Sequence, residues 1–313
     1  MHINPIYRKE LKLSTRSLKL PIFFTAYIII LTAIACVVCA AYFNGYSYSE
    51  SQYAAVISIF VCLSVAEFAI IMLEIPAFTA DAIAGERERQ TLDILLTTNL
   101  KPIQIVIGKL LSSLSSMFFL TILSLPVLGI TFAVGGIHLQ DIVQLFLFIF
   151  ISMFFIGSFG IFFSAALKRT ASATILSYVA LFLIMAGTMI VLLLATWLFY
   201  LHAEEIYRQT GNYPDTNLGL LPMILLINPA FTMFYMLTDN YSSVSSLTYF
   251  FEWCGFDKHT VIIQYWFWIS LGIQILLGVL ILLATAKKVD PLNKKEKKKK
   301  GKGKKQRKQK ETA

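Results

Sequence analysis

Charged residues are scarce in this chain of 313 residues. Asp, Glu, Lys and Arg together make up 14% of it, whereas soluble globular proteins carry about 25%. Hydrophobic residues make up 57%, and the mean hydropathy is +0.69. Because a chain this poor in polar groups cannot cover a folded core with a water-facing surface, its composition excludes an ordinary soluble domain and predicts an integral membrane protein.

Cysteine is scarce as well. The four cysteines are Cys36, Cys39, Cys62 and Cys254, and the first three lie inside apolar runs. Cys36 and Cys39 are close in sequence, but two thiols in hydrocarbon lack the further ligands that a zinc site needs. The sequence therefore predicts neither a metal site nor a disulfide framework.

Motifs for nucleotide binding and catalysis are absent from the sequence. Gly108-Lys109 lacks both the upstream glycine and the following Ser or Thr of a phosphate-binding loop, so we expect no ATP site, no cofactor and no catalytic residue in this chain. Glu204-Glu205 and Arg208 approach the E-E-x-x-x-R motif of Abi-type intramembrane proteases, with a spacing one residue too short. An intramembrane enzyme of that type is the alternative function, and a scaffold or sensor that transports nothing is a further one.

The sequence does contain six long apolar runs. Each exceeds the roughly 20 residues with which an α-helix crosses a bilayer. They predict an all-α transmembrane domain at residues 21–286, with six spans at residues 21–43, 54–78, 103–134, 142–167, 171–200 and 261–286. In the third run, Pro126 and Gly129 predict a kink.

The positions of Lys and Arg predict how these spans are oriented. The connections on one side, with the two flanking segments, hold 25 of the 27 Lys and Arg residues, and the other side holds only Arg208 and Lys258. Because basic connections stay in the cytoplasm, we expect a multi-pass protein of the cell membrane with both termini in the cytoplasm.

Residues 1–20 form a basic leading segment. Arg8, Lys12, Arg16 and Lys19 recur in it at helical spacing. This stripe predicts an amphipathic helix that lies in the plane of the membrane, held by anionic lipid. A solvated basic leader is the alternative.

Residues 287–313 form a lysine-rich tail, which holds 14 of the Lys and Arg residues. So polar a segment cannot bury a core, and we predict that it is disordered in the cytoplasm. It either contacts anionic lipid or serves only topology and solubility. We expect no nucleic acid partner, because no aromatic residues are interleaved for base stacking.

Residues 201–260 form the outer segment, within which residues 218–237 are long enough for a seventh span. Pro222, Asn228 and Pro229 interrupt this apolar stretch, and a seventh crossing would place the basic tail outside. We therefore predict a re-entrant hairpin of two short helices, whose backbone must be sheltered by protein or line a cavity.

Residues 79–102 form a densely charged connection between the second and third spans. Four consecutive charged residues are followed there by three leucines at helical spacing: Glu86, Arg87, Glu88 and Arg89, then Leu92, Leu95 and Leu96. The pattern predicts a helix with one charged face and one leucine face, at the membrane surface or against a partner. A connecting loop with a solvated charge cluster is the alternative.

Three ionisable residues lie within the predicted spans. Glu67 and Glu74 are seven residues apart in the second span and share a helical face, while Lys109 lies near the start of the third. If the second span ends at residue 78, Glu74 and Lys109 lie at similar depth, and we predict an ion pair between them. Glu67 either lines a substrate path or is neutral and hydrogen-bonded to a neighbouring helix.

Several stretches resemble membrane subunits of type-2 ATP-binding-cassette exporters. Residues 86–100 follow the E-R-E-x-x-T-L-D-x-L-L-x-T-x-L pattern of these subunits, and residues 105–110 follow I-V-x-G-K-L. Weaker matches are Asn4-Pro5-Ile6, Lys168-Arg169-Thr170 and Asn228-Pro229. Asn99 stands where those subunits often have proline, and the lysine-rich tail is not one of their features.

The resemblance implies a permease subunit of an exporter, without ATPase motifs of its own. In those subunits the charged connection is a coupling helix, which sits in a groove of a separate ATPase subunit that binds ATP and Mg. The resemblance assigns contact with the ATPase to Glu86, Arg87, Glu88, Arg89, Thr91, Leu92, Lys168 and Arg169. It also implies a second permease subunit, identical or different. The apolar spans favour an amphipathic or apolar cargo, such as a peptide, a drug or a lipid.

Overall fold

The computed structural model describes residues 19–45, 51–92, 101–212, 218–241, 250–252, 254 and 261–289. Three predicted features lie largely outside these residues: the in-plane helix, the leucine-rich half of the charged connection, and the lysine-rich tail. The described residues are helical almost throughout, and no strand occurs among them.

The helices follow one another with short connections. They are α1 (Lys19–Gly45), α2 (Ser51–Glu88), α3 (Pro102–Val134), α4 (Leu139–Ala166), α5 (Thr170–Phe182), α6 (Thr188–Thr210), α7 (Pro229–Tyr241), α8 (Val261–Gln264) and α9 (Trp266–Val289). A π-helical turn, Leu183–Gly187, joins α5 and α6 into one long helix. A 3₁₀ segment, Leu221–Ile227, precedes α7.

Six helices in the described part of the chain are long and apolar enough to cross a membrane, as predicted. They are Pro21–Ala41, Val56–Glu88, Pro102–Val134, Leu139–Ala166, Thr170–Thr210 and Trp266–Val289. Two of them extend ten residues beyond the predicted ends of their spans, to Glu88 and to Thr210. The extension of α2 stays helical because one side of it, with Ala80, Ile83 and Ala84, remains buried.

Proline does not divide these helices. α3 includes Pro126 and Gly129 within a single helix, and α2 includes Pro76. An internal proline removes one backbone hydrogen bond, and neighbouring helices in a bundle tolerate that loss. The kink predicted at Pro126 therefore does not interrupt the helical backbone.

α2 is the central helix of the bundle. It packs against α1, α3, α4 and α5, and α4 packs in addition against α9. Contacts between the end of α2 and the starts of α1 and α3 show that the helices alternate in direction. We call the end of the bundle that contains residues 84–92, 101–109, 164–171 and 286–289 the basic end, and the other end the far end.

α2 and α4 approach closely near the basic end. A Cβ atom on Gly160 of α4 would lie 1.8 Å from Thr79 Oγ1 and 2.7 Å from Thr79 Cβ. One turn further along α4, Ser164 Oγ accepts hydrogen bonds from Ile83 N and Ala84 N at 2.9 and 2.8 Å. Small residues on α4 thus let its surface reach the α2 backbone, as in other membrane helix contacts.

The apolar stretch in the outer segment breaks at Asn228, where the 3₁₀ segment and α7 meet at 95°. Asn228 Oδ1 accepts hydrogen bonds from Ala230 N and Phe231 N and so caps α7. Its Nδ2 donates to Met185 O at 2.9 Å and to Thr188 Oγ1 at 2.8 Å, at the π-helical turn. The predicted interruption is confirmed, and its assignment as a re-entrant hairpin stays a prediction.

The contact between α2 and α4 can be tested with Gly160→Ala. The added methyl group would overlap Thr79, and we expect a loss of about 1–3 kcal/mol in the free energy of unfolding. Gly129→Ala is the matched control, because nothing lies within 4 Å of a Cβ there and alanine favours a helix. Thermal unfolding of the purified protein in detergent measures both. Equal melting temperatures for Gly160→Ala and wild type would contradict the close approach.

Candidate functional site

α2 ends within the charged connection in a Schellman motif. Thr91 N donates to Glu86 O at 2.9 Å, and Gln90 N donates to Arg87 O at 3.2 Å. Gln90 has a φ of 58°, the left-handed conformation that closes this motif. The charged run is therefore the last turn of α2 rather than the start of a separate amphipathic helix.

The chain turns back toward the bundle directly after this motif. Leu92 is buried in an apolar cluster with residues of α2, α3, α4 and α9, among them Ile83, Val106, Ile161 and Leu282. Burial of a leucine side chain contributes about 1.5–3 kcal/mol. Leu92 therefore anchors the start of the remaining connection against the bundle.

The Arg87 guanidinium binds the carboxyl end of α4. Its Nη1 donates to Leu167 O, and its Nη2 donates to Ala165 O at 3.1 Å. The last carbonyl groups of a helix have no donor within the helix and carry partial negative charge. A cation is their complementary partner, so Arg87 ties α2 to the end of α4.

The Glu88 carboxylate binds the amino end of α5. Oε1 accepts a hydrogen bond from Thr170 N at 2.9 Å, and Oε2 accepts one from Thr170 Oγ1 at 3.0 Å. The first N–H groups of a helix lack partners and carry partial positive charge. Arg169 precedes α5 without forming a side-chain cap, so Glu88 supplies the capping acceptor from another helix.

Arg87 and Glu88 together hold the turn at residues 167–169. The two neighbours on α2 carry opposite charges, and each meets the helix end of opposite polarity. We call this arrangement the Arg87–Glu88 clamp. Because the clamp joins the connection after α2 to the turn after α4, the two connections form one structural unit.

Lys109 pairs with Glu86. Its Nζ lies 2.8 Å from Glu86 Oε1, and the two side chains are 7% and 30% exposed. The predicted pair between Glu74 and Lys109 is therefore wrong. Glu86 lies twelve residues beyond Glu74, which is about 18 Å along the helix. Because α2 continues past residue 78, Lys109 lies at the level of Glu86 and not of Glu74.

The residues predicted to contact a partner fall into two groups. Five of them interact with their own chain: Glu86, Arg87, Glu88, Thr91, whose hydroxyl donates to Glu86, and Leu92. Arg89, Lys168 and Arg169 are exposed beside the clamp. The exposed side chains of these three residues are all cationic.

Sequence reasoning missed the groups that the clamp binds. Thr170 was named only within the weaker match Lys168-Arg169-Thr170, without a role of its own, and the carbonyl groups of Ala165 and Leu167 have no side-chain signature. One signal in the sequence could have indicated the clamp. An Arg-Glu pair stands on one connection, and on the other connection one helix ends and the next begins within a few residues.

Comparison with known protein families matches residues 4–289 to the ABC-2 family transporter proteins. The chain belongs to this family. A search of the curated proteins gives no match. The resemblance predicted from the charged connection is confirmed, and the chain is a multi-pass permease component of an ABC transporter, a class that generally works with an ATPase subunit.

The family match does not support the intramembrane protease alternative. In this permease, Glu204 and Arg208 form an exposed ion pair at 3.2 Å on successive turns of α6. Such a pair is an ordinary feature of a solvated helix end and contributes little to stability.

Two further acids of the permease lie on α2 toward the far end. Glu67 is fully buried, and Ser124 Oγ of α3 lies 2.7 Å from its Oε1. Glu74 is half-buried, and its Oε2 has no hydrogen-bond partner in the described part of the chain. Glu67 thus contacts a neighbouring helix, as one of its two predicted roles requires, and the choice between these roles stays a prediction.

The pair between Glu86 and Lys109 can be tested by charge reversal. Glu86→Lys or Lys109→Glu alone places like charges together at a largely buried position. We expect each to cost about 1–3 kcal/mol, less than for a fully buried pair, because Glu86 is partly exposed. Melting temperatures measure the loss, which the double reversal should partly restore. Restoration by Glu74→Lys with Lys109→Glu instead would contradict the pairing.

The clamp can be tested by exchanging its two residues. Arg87→Glu with Glu88→Arg keeps the net charge but places a carboxylate against the α4 carbonyl groups and a cation against the α5 amide. We expect a lower melting temperature, because both helix ends lose a charged partner, each worth about 0.3–2 kcal/mol. Arg89→Gln, an exposed neighbour, is the control and should leave the melting temperature unchanged. An unchanged melting temperature in the exchanged variant would argue against the clamp.

Proposed function

We propose that this chain is the transmembrane permease subunit of an ABC exporter, energised by a separate ATPase subunit. The ATPase docks on residues 79–102 and on the adjacent turn at residues 167–169. The observation that carries the proposal is the Arg87–Glu88 clamp, which makes one surface of the two connections. A partner that contacts either connection therefore acts on both.

The positive charge of three exposed residues on this surface favours a partner whose docking surface is acidic. Arg89, Lys168 and Arg169 are exposed beside the clamp, and cationic groups on a rim favour encounter with a surface of opposite charge. The acidic residues of the charged run serve the chain itself, through Lys109 and Thr170. In this proposal the internal residues make the surface rigid, and the exposed cations select the partner.

The sequence supports placing ATP and Mg on the partner, because this chain has no phosphate-binding loop. Energy from hydrolysis then has to enter through contact. α2 is suited to carry it, because one helix of 38 residues, about 57 Å long, connects the clamp to the far end. A push at Glu88 would act on α1, α3 and α4 along the whole bundle.

The membrane arrangement in this proposal follows the distribution of basic residues. The basic end and both termini lie in the cytoplasm of a cell-membrane protein, and the lysine-rich tail contacts anionic lipid. A second permease subunit, identical or different, completes the pathway. α1 and the long helix Thr170–Thr210 are the least buried of the six spanning helices. In their most apolar stretches only 11% and 17% of the residues are buried, which leaves surface for lipid or for that subunit. The cargo is amphipathic or apolar, such as a peptide, a drug or a lipid.

Co-purification from native membranes in mild detergent tests the proposal. Wild type should bring down an ATPase subunit, and Arg89→Glu/Lys168→Glu/Arg169→Glu should lose it by at least tenfold, because three rim cations become acidic. Arg208→Glu, at an exposed arginine of the far end, is the control and should retain the ATPase. Unchanged melting temperatures would show that the triple variant is folded. Absence of any ATPase with wild type, or its retention by the triple variant, would contradict the docking surface.

A further inference from the structure

We propose that Glu67 is a proton-binding site in the interior of the bundle, where it carries a proton and donates it in a hydrogen bond to Ser124 of α3. The site does not depend on the proposed ATPase partner. It consists of Glu67 and Ser64 on α2, Tyr27 on α1, and Ser124 on α3, none of which is more than 3% exposed.

The first argument is the absence of a counter-ion. α2 has no Lys or Arg before Arg87, and α3 has only Lys109. Arg87 and Lys109 are engaged at the basic end, and Arg87 lies twenty residues from Glu67, about 30 Å along the helix. Among the described residues of α2 and α3, an ionised carboxylate at this depth would have no cation to pair with, and an unpaired charge in a bilayer is costly.

The titratable groups on the helices packed around the site bring no positive charge to it either. α1 contributes Tyr27, which is buried on a helix packed against α2. α2 contributes Glu74, two turns away, and α5 contributes Tyr178, whose hydroxyl donates to Leu73 O. α3 contributes no acid or base near Ser124, and α4 has no ionisable residue after Asp141. None of these groups supplies a positive charge.

The second argument counts hydroxyl protons. Ser124 Oγ lies 2.7 Å from Glu67 Oε1 and 2.7 Å from Thr121 O. A serine hydroxyl has one proton, and a backbone carbonyl can only accept. A carboxylate would compete with Thr121 O for that proton. A carboxylic acid satisfies both contacts, because Glu67 then donates to Ser124 Oγ and Ser124 donates to Thr121 O.

The remaining oxygens of the site fit a neutral acid. Glu67 Oε2, Tyr27 Oη and Ser64 Oγ are buried without a hydrogen-bond partner in the described part of the chain. In a protonated Glu67, Oε2 is a carbonyl oxygen without a full charge, so leaving it without a partner costs less than leaving a carboxylate oxygen without one. The site thus has one acid proton and no charge that its surroundings must solvate.

Infrared spectroscopy of the purified full chain at neutral pH tests the proposal. Wild type should show a carbonyl band of a protonated carboxylic acid that is lost in Glu67→Gln and kept in Glu74→Gln. Ser124→Ala should shift that band without abolishing it, because the proton loses its acceptor. If no acid band differs between wild type and Glu67→Gln, Glu67 is ionised and the proposal is overturned.

Thermal unfolding gives an independent result. The amide group introduced by Glu67→Gln keeps a donor for Ser124 and an acceptor for the hydroxyl groups, so the melting temperature of this variant should equal that of wild type. Ser124→Ala should melt lower in both backgrounds. A lower melting temperature for Glu67→Gln, with Ser124→Ala still folded, would show that the charge itself is needed and would overturn the proposal.

Discussion

Backbone N–H and C=O groups at the ends of helices need hydrogen-bond partners where the chain turns close to the membrane. The arrangement of the basic end depends on which residues supply these partners. The last carbonyls of α4 and the first amide of α5 cannot be satisfied within their own helices. α2 provides both partners from two adjacent residues, Arg87 and Glu88. This is possible because α2 extends past the apolar run and stays packed on α4, where Gly160 and Ser164 leave room for it.

The same constraint explains why so many charges stand in one short stretch. A run of alternating acids and bases is easily interpreted as a surface for a partner. In this chain Glu86, Arg87 and Glu88 are used internally, and each has an oppositely charged or oppositely polarised group to bind. Arg89, Lys168 and Arg169 stay exposed beside them, and all three are basic. In the docking surface that we propose, rigidity is separate from recognition, since the residues that fix its shape differ from those that set its charge.

The sequence was sufficient to predict six spans, because length and apolar composition decide whether a helix can cross a bilayer. It was also sufficient for the break at Asn228-Pro229. The residue at which α2 ends was not predictable from composition. A helix that leaves the membrane continues as long as one side of it stays buried, and the burial of Ile83 and Ala84 depends on packing against α4. That error of ten residues misplaced the depth of Lys109 and produced the wrong partner, Glu74. The π-helical turn was not predicted, since one of the groups that hydrogen-bond it is Asn228, which lies on a distant segment.

The acids of α2 show how depth decides what a carboxyl group does. Glu88 and Glu86 lie at the basic end, where cations, helix ends and solvent are within reach, so their charge is stabilised. Glu67 is about 30 Å away on the same helix, surrounded by hydroxyl groups and apolar side chains. There the least costly state is the one in which the proton stays on the acid. A single continuous helix thus carries ionised groups at one end and a neutral one in its interior. Any movement of α2 that changed the depth of Glu67 would also change its affinity for the proton.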